Sequence, residues 1–301
     1  MASKSDIDVA IDKVLTDFKI STLKAEQRTI LDCLIEKKDC MAILPTGFGK
    51  SLPYQMLVSV RRELEKETSS DDVGKVIVCS PLVALMADQV DRINAVPNVT
   101  AAYRGACSNG DDDILKGKFD YLFASPETLI SDKKWRMTLQ QMNVSLIVVD
   151  EFHTICTWGG VGEQEEETAF RKWFRYIGEL RSMFTTANLL ALSATCTTTM
   201  RKRVMRELHM HKDLTTIISK SPNKPNIKFC VQKIDNTIDM SMVWLVDALE
   251  KLKIDFPRTI IYSNTIKQLS ELYSYLCTEN PDAVHLIDMF HSETPEEKKK
   301  L

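Results

Sequence analysis

The sequence lacks the features that mark zinc-binding, secreted, membrane-embedded or strongly basic proteins. None of its eight cysteines forms a CxxC pair, so the spacing that begins a zinc site is missing and no zinc is expected. No apolar run approaches the roughly 20 residues of a membrane span, and residues 1–9 carry no secretory signal. Lysine and arginine total 39 against 42 acidic residues, so no positive field indicates a nucleic-acid partner. We therefore expect a soluble intracellular protein with reduced cysteines and no membrane association.

What the sequence does contain is a regular alternation of short apolar runs and helical patterns. Its 301 residues suggest about two domains. The apolar runs that we interpret as buried strands are 40–44, 76–79, 121–124, 146–149, 189–192 and 215–218. Strands that alternate with helices predict an α/β fold with a parallel sheet and right-handed crossovers. In such sheets, ligands bind beyond the carboxyl ends of the strands.

Helix signals complete the first part of this outline. A period of 3.6 residues predicts a first helix capped by Ser5, a second at 25 to about 36, and a third that ends near residue 64. Pro81 is expected to open a fourth helix. Residues 219–226 contain two prolines and no apolar side chain, which is typical of a linker between domains.

The segment after the linker repeats the alternation on a smaller scale. Residues 229–234 and 259–262 are rich in apolar and β-branched side chains, and we predict strands there. Helices are predicted at 242–252 and 268–277. Roughly 75 residues follow the linker, about half of an ordinary α/β domain.

Residues 46–51 carry the strongest chemical signal, Thr-Gly-Phe-Gly-Lys-Ser between a predicted strand and a predicted helix. In a phosphate-binding loop, glycines let backbone N–H groups approach an anion, and the following helix N-terminus favours negative charge. The predicted nucleotide-binding residues are Thr46, Gly47, Phe48, Gly49, Lys50 and Ser51. Of these, Lys50 is expected to contact the β and γ phosphates and Ser51 to hold Mg²⁺. The alternative is an ordinary turn with an exposed lysine.

Two carboxylates, Asp150 and Glu151, directly follow the apolar run 146–149. In a parallel sheet they lie at the same edge as the phosphate loop. Phosphoryl transfer to water needs a carboxylate in the Mg²⁺ shell, here Asp150, and a group that positions or deprotonates the water, here Glu151. Alone, such a pair is as often a solvated turn, and the phosphate loop upstream favours the catalytic interpretation.

The order and spacing of several segments resemble the RecQ branch of superfamily-two DNA helicases. The segments are Phe18 with Lys24 and Gln27, LPTGFGKS (44–51), SPLVALMADQV (80–90), ASPETL (124–129), VVDEFH (148–153), Trp158-Gly159, LSAT (192–195) and PNIKF (225–229). The resemblance spans nearly the whole chain. It implies a RecA-like P-loop lobe with a parallel sheet at 6–220, an incomplete second RecA-like lobe at 227–301, and use of ATP and Mg²⁺.

The resemblance also implies roles for individual residues at the nucleotide site. Gln27 and Lys24 are expected to recognise adenine, and His153 to link hydrolysis to DNA contact. Ser193 and Thr195 are expected to couple the nucleotide site to domain movement. From the residues alone, a surface glutamine, a structural histidine and ordinary strand-end hydroxyls stay open as alternatives.

Several positions depart from the expected patterns. Lys24 stands where the family usually has arginine, Gly160 replaces the usual histidine, and Leu44 stands where the strict phosphate-loop pattern has glycine. Ile20 falls where the family often has an aromatic side chain that stacks on the base. Phe152 stands where the family usually has a small residue or cysteine.

The resemblance further implies contact with single-stranded or forked DNA. The candidate nucleic-acid residues are Ser80, Pro81, Ser125, Pro126, Trp158, Phe170 and Arg171. The serine–proline pairs are equally typical of helix caps, and Trp158 of a packed core residue. Residues 161–169 resemble an insertion with four glutamates. Their charge would repel a phosphate backbone, so we expect weak, salt-dependent DNA binding.

The function implied by the resemblance is an ATP-dependent 3'-to-5' DNA helicase of the nucleus, with a place in DNA repair and recombination. No motif for the arginine finger of a second lobe is found in 227–301, so we expect slow ATP hydrolysis and impaired unwinding. One alternative is an RNA helicase of the DEAD or DEAH groups, whose ATP site would be nearly the same. The other is a non-catalytic nucleotide- or nucleic-acid-binding module, favoured by the partial lobe and the acidic insertion.

Overall fold

Seven parallel strands form the centre of the fold, which confirms the α/β prediction. The computed structural model describes residues 3–65, 73–104, 111–159, 172–233, 237–295 and 298. The strands are β1 (Asp39–Ile43), β2 (Lys75–Cys79), β3 (Ala101–Arg104), β4 (Tyr121–Ala124), β5 (Val144–Val149), β6 (Asn188–Ser193) and β7 (Thr215–Ser219). Their order across the sheet is β3-β4-β2-β5-β6-β1-β7, and every neighbouring pair is parallel.

Helices connect the strands, as parallel pairing requires. They are α1 (Lys4–Asp17), α2 (Ala25–Ile35), α3 (Leu52–Glu65), α4 (Val83–Asn94), α5 (Asp111–Leu115), α6 (Lys133–Gln140), α7 (Thr154–Thr157), α8 (Glu179–Met183), α9 (Thr198–Glu207), α10 (Ile238–Leu252) and α11 (Ile266–Glu279). A π-helical turn spans Glu127–Ser131, and 3₁₀ turns span Lys172–Tyr176, Lys253–Asp255 and Pro281–Leu286.

The sheet is buried on both faces, because successive side chains of a strand point to opposite sides. In β5, Leu146 and Val148 pack in one hydrophobic cluster, whereas Ile147 and Val149 pack in the other. Strands covered on both faces are continuous apolar runs in the sequence. This is why the five inner strands are predicted correctly, whereas the edge strand β7 is predicted from its apolar and β-branched run although only Thr215 in it is buried.

The exception is β3, which the apolar pattern does not predict. It lies at the edge of the sheet, and all four of its residues are only partly buried. A strand that pairs on one side and keeps some solvent contact needs no continuous apolar run.

Two helix starts differ from the predictions. Ser3, and not Ser5, caps α1, because the Ser3 hydroxyl accepts the Asp6 N–H at 3.2 Å while the Asp6 carboxylate accepts the Ser3 N–H at 2.9 Å. This reciprocal capping box satisfies two backbone donors at once. Helix α4 has Leu82 as its N-cap, so Pro81 precedes the helix rather than opening it.

Internal contacts divide the chain into two units, Met1–Asn223 and Lys224–Leu301. The boundary falls inside the predicted linker 219–226, while the domain limits 6–220 and 227–301 stay predictions. In the second unit, α10 and α11 pack through a small cluster of buried leucines, namely Leu245, Leu249, Leu272 and Leu276. An apolar groove of about 530 Å³ lies beside this cluster.

The strands predicted at 229–234 and 259–262 are wrong for the part of the chain that the structure describes. Both segments are coil there, and Phe229 and Tyr262 are 86% and 89% exposed. A strand needs a neighbour for its N–H and C=O groups, and neither segment has one. Among the described residues, no helix combines the length and apolar character needed to cross a bilayer.

Candidate nucleotide site

The phosphate loop connects β1 to α3 and depends on two glycines in the left-handed backbone region. Gly47 and Gly49 have φ angles of 80° and 85°, which side chains with a Cβ rarely adopt. A Cβ on Gly49 would also lie 2.6 Å from the side-chain nitrogen of Gln27. Within the loop, the Phe48 N–H donates to the Pro45 carbonyl at 3.1 Å. Thr46 is exposed and Lys50 is partly buried.

Gln27 fixes this loop to the start of α2. It is only 4% exposed, and its side-chain Nε2 donates to the carbonyls of Phe48 at 3.2 Å and Gly49 at 3.0 Å. Its Oε1 accepts the Lys24 N–H at 2.9 Å. The alternative interpretation of Gln27 as an exposed surface residue is therefore wrong. Its amide clamps the loop, and one lone pair of Oε1 is not used by these hydrogen bonds.

Lys24 also contacts the phosphate loop. Its Nζ donates to the Phe48 carbonyl at 3.0 Å and lies 4.4 Å from the centroid of the Phe48 ring. Lys24 and Gln27, which are separated from the loop by more than twenty residues, thus converge on the same loop residue.

Asp150 occupies the carboxyl end of β5 and is nearly buried, with 9% of its surface exposed. Burial and, to a smaller extent, repulsion by Glu151 raise its pKa to about 6, although the Glu151 N–H and the Lys50 ammonium favour the ionised form. The Glu151 N–H donates to Asp150 Oδ1 at 3.0 Å. Lys50 is close enough to lower the pKa of Glu151 as well, so the predicted catalytic groups lie together.

Glu151 adopts a strained backbone conformation, with φ at 48°. A residue with a Cβ pays roughly 1–2 kcal/mol for this left-handed conformation, and such strain concentrates at functional sites. The Thr154 N–H and hydroxyl both donate to the Glu151 carbonyl, at 2.9 and 2.8 Å. The turn therefore holds the Glu151 side chain at one position on the sheet edge.

His153 bridges the end of β5 to the end of β6. Its Nδ1 lies 3.2 Å from Glu151 Oε2 and 3.0 Å from Ser193 Oγ. Because the Ser193 hydroxyl donates to the Thr195 carbonyl at 3.0 Å, it accepts from the ring, and the carboxylate accepts as well. Both contacts place an N–H group at Nδ1. Contact with His153 lowers the pKa of Glu151.

Phe152, one of the departures from the family pattern, points away from the hydrogen bonds of Glu151 and His153. Its ring is completely buried in the cluster on one face of the sheet, while its N–H donates to the Leu192 carbonyl at 3.0 Å. The bulky side chain therefore extends the core and leaves the carboxylate turn intact.

Three contacts that the sequence did not reveal link the end of the loop and the start of α3 to Gln89 of α4. Gln89 Nε2 donates to Ser51 Oγ at 3.4 Å, and Gln89 Oε1 accepts from the Tyr54 hydroxyl at 3.0 Å and from Gln55 Nε2 at 2.6 Å. Tyr54 is fully buried, and burial together with the charge of Asp150 raises its pKa. The segment 80–90 that contains Gln89 belongs to the RecQ resemblance, but its link to Ser51 appears only in three dimensions.

The residues present fit a magnesium ion. Mg²⁺ in nucleotide sites is held by one or two protein oxygen ligands together with substrate phosphates and water. Asp150 supplies a nearly buried carboxylate and Ser51 a hydroxyl, and Tyr54 lies close enough to both to hydrogen-bond Ser51 and to feel the charge of Asp150. A cleft of about 500 Å³, lined among others by Lys24, Gln27, Phe48, Ser51 and Gln89, has the size of an ordinary ligand pocket.

The predicted nucleic-acid residues that the structure describes follow other strands at the same edge. Ser80, after β2, is 4% exposed, and its N–H donates to the Ala124 carbonyl at 3.1 Å. Pro81 and Pro126 are buried. The Ser125 hydroxyl accepts the Thr128 N–H at 3.4 Å, just before the π-helical turn whose N-cap is Pro126. This geometry does not by itself assign a nucleic-acid contact, and that role stays a prediction.

Trp158 packs against Phe174, with ring centroids 5.5 Å apart and planes at 79°. This edge-to-face contact agrees with the packed alternative, although the ring is only partly buried. Phe170, Arg171 and the acidic segment 161–169 lie outside the described residues, so the predicted DNA contacts there stay predictions.

The raised pKa of Asp150 generates a prediction about stability. Folding favours the protonated form of Asp150. Its contribution to the stability of the folded protein is therefore complete below pH 4 and is lost as the pH rises through about 6. Asp150→Asn should therefore stabilise the protein at pH 7.5 by roughly 2 kcal/mol, with a smaller gain at pH 5. Thermal unfolding followed by circular dichroism measures the difference.

Glu151→Gln is the matched control, because the lowered pKa of Glu151 gives the opposite sign. This variant should lose stability at pH 7.5. An equal gain in both variants would mean that general charge reduction, and not burial of Asp150, is the cause.

Comparison with known proteins agrees with this site. Residues 24–203 match the DEAD/DEAH box helicase family. The probable ATP-dependent DNA helicase RecS of Bacillus subtilis (strain 168) is 30% identical over 85% of this chain and 47% of that protein. The ATP-dependent DNA helicase RecQ of Pasteurella multocida (strain Pm70) is 27% identical over 73% of this chain and 32% of that protein. The chain thus spans less than half the length of these curated relatives, and the RecQ resemblance is confirmed.

A solved structure shows the same fold. The DUF1998 helicase MrfA, crystallised with DNA, superimposes with a TM-score of 0.69 at 15% identity over 100% of this chain and 43% of that chain. Since the family match covers more than half of the sequence and includes the phosphate loop and both carboxylates, the chain belongs to the DEAD/DEAH box helicase family.

Proposed function

We propose that this chain binds MgATP and forms the ATP-binding part of a RecQ-type, ATP-dependent 3'-to-5' DNA helicase. The observation that carries the proposal is the convergence of the phosphate loop, Asp150 and Glu151 at one edge of the sheet. The similarity to RecS and RecQ, whose names describe ATP-dependent DNA helicases, supports the choice of DNA. The expectation that 227–301 form an incomplete second lobe stays a prediction.

The residues divide the chemistry of ATP hydrolysis among them. Backbone N–H groups of 47–51 cradle the phosphates, and Lys50 neutralises charge on the β and γ phosphates. Asp150 and Ser51 would hold Mg²⁺, which supplies charge neutralisation for the transferring phosphoryl group. Glu151 keeps a low pKa beside His153, so it is ionised near neutral pH and able to orient or deprotonate the attacking water.

Adenine recognition is proposed for Gln27 and Lys24. Both line the cleft beside the loop, and the second lone pair of Gln27 Oε1 can accept a hydrogen bond from the exocyclic amine of adenine. Ile20 lines the same cleft and offers apolar contact where an aromatic ring would stack.

We propose that the hydrogen-bond network around His153 couples the nucleotide site to domain movement. The network joins Glu151, which acts on the γ phosphate, to Ser193 and Thr195 after β6. Loss of the γ phosphate would alter the position of Glu151, and the hydrogen bonds of His153 would pass this change to the β6 loop.

The proposed partner is single-stranded or forked DNA, with Ser80, Pro81, Ser125, Pro126, Trp158, Phe170 and Arg171 as contacts. Four of these residues follow β2 and β4 at the sheet edge, where hydroxyl and N–H groups can hold phosphates. A nuclear location and a place in DNA repair and recombination rest on the RecQ resemblance. The match to the DEAD/DEAH family keeps RNA as the second candidate substrate.

ATP binding is tested by the substitution Lys50→Ala. The loss of a charged contact to phosphate should weaken MgATP binding at least about tenfold. Lys118→Ala is the matched control, since Lys118 is exposed and precedes β4 at the opposite edge of the sheet. Titration with a fluorescent ATP analogue measures both. Equal affinity of Lys50→Ala and the wild-type protein would contradict the assignment.

DNA binding is tested by neutralising the acidic segment. We expect weak affinity for single-stranded DNA that falls with added salt, because a net charge of −3 leaves only local phosphate contacts. Deletion of 161–169 should strengthen binding at low salt. A variant that keeps the length but carries glutamine at positions 163, 165, 166 and 167 should do the same.

Fluorescence anisotropy with DNA and RNA of one sequence measures this effect. Unchanged or weaker DNA binding by both variants would contradict the repulsion argument. Preference for the RNA strand would favour the RNA helicase alternative.

A further inference from the structure

Lys220 lies beside the phosphate loop because of the strand order. β7 is the edge strand next to β1, and the two strands are parallel and in register from Asp39 to Ile43. The Lys220 N–H continues this ladder by donating to the Ile43 carbonyl at 2.9 Å. Since the phosphate loop follows β1, Lys220 emerges at the same edge as the loop.

The Lys220 side chain joins the loop to α2. Its Nζ lies 2.7 Å from Glu26 Oε1 and 5.1 Å from the centroid of the Phe48 ring. The Lys24 ammonium lies 4.4 Å from the same centroid. Phe48 is therefore contacted by two cations. Lys24 precedes the phosphate loop in the sequence, and Lys220 follows β7.

The Glu26 carboxylate reduces the positive charge around Phe48. Two ammonium groups near one ring repel each other, and the Glu26 carboxylate offsets this repulsion. The ion pair with Lys220 lowers the pKa of Glu26, and Lys24 contributes in the same direction. Glu26 thus keeps its charge at neutral pH and holds the Lys220 ammonium against the ring.

Phe48 is a critical point in the loop because it stands between the two glycines with positive φ. Glycine has the largest conformational freedom of any residue, so the segment between them needs side-chain tethers to keep one conformation. A loop already held in its binding conformation spends less free energy on ordering when a phosphate binds.

We propose that Lys220 is a positioning residue of the nucleotide site, which acts through Phe48 and Glu26 to hold the phosphate loop ready for a nucleoside di- or triphosphate. This inference rests on the proposed ATP binding. It assigns to Lys220 no contact with the nucleotide. Lys220 should strengthen binding of the phosphate chain rather than of the base, because its contacts with Phe48 and Glu26 act on the phosphate loop.

The test compares ADP and adenosine binding to Lys220→Ala, Lys220→Arg and the wild-type protein. A cation–π contact at an exposed site predicts that Lys220→Ala weakens MgADP binding about two- to fivefold. Lys220→Arg should restore it, since a guanidinium group can contact both the ring and the carboxylate. Adenosine affinity should not change. Lys212→Ala, an exposed lysine before β7, is the matched control.

Isothermal titration of the full chain gives each affinity, and thermal unfolding checks that the variants are folded. MgADP affinity of Lys220→Ala equal to wild type would overturn the inference while leaving the proposed function intact. An equal loss for adenosine would also overturn it, because the effect would then lie on the base. Failure of the wild-type protein to bind MgADP would overturn the proposed function and the inference with it.

Discussion

The parallel direction of all seven strands is the constraint on which the rest of the structure depends. It forces every segment that follows a strand to leave the sheet at one edge. The phosphate loop after β1, the carboxylates after β5 and Ser193 at the end of β6 come from distant parts of the sequence. They meet because β1, β6 and β5 are consecutive strands of the sheet.

Two features of the site destabilise the folded state. Asp150 is nearly buried with a raised pKa, and Glu151 has a left-handed backbone conformation. Each feature opposes folding, and the surrounding contacts compensate for it. Gln27 of α2 fastens the middle of the phosphate loop and Gln89 of α4 fastens its end, so the loop is held by the two helices that border the cleft.

The sequence predicted the structure correctly where one physical signal dominated. The doubly covered strands were found because their residues are continuously apolar, and the phosphate loop because only glycine fits its backbone angles. The strand β3 was missed because its sequence Ala-Ala-Tyr-Arg is only partly buried and forms no run of large apolar residues, whereas the other edge strand, β7, contains such a run. The cap of α1 was assigned to Ser5 although Ser3 has Asp6 at the spacing of a capping box. The predicted strands of the second unit failed because pairing depends on a neighbour, which local composition does not supply.

The contacts of the site were harder to predict than its residues. The link of Gln89 to Ser51, the clamp of Gln27 on the loop and the position of Lys220 each join elements that are distant in sequence. Such contacts depend on strand order and helix packing, which no local pattern records. Phe152 illustrates the same limit, since only its buried ring shows that a bulky residue leaves the carboxylate turn intact.

The central claim is that the sheet edge assembles one metal–nucleotide site, with Asp150 and not Glu151 as the carboxylate ligand. Manganese in place of magnesium makes this measurable by electron paramagnetic resonance, and phosphorus hyperfine coupling reports whether the ion touches ADP. We predict phosphorus coupling in the wild-type complex, at least about tenfold weaker Mn²⁺ binding in Asp150→Asn, and nearly unchanged binding in Glu151→Gln. Equal Mn²⁺ affinity in Asp150→Asn and the wild-type protein, or a larger loss in Glu151→Gln, would contradict the account.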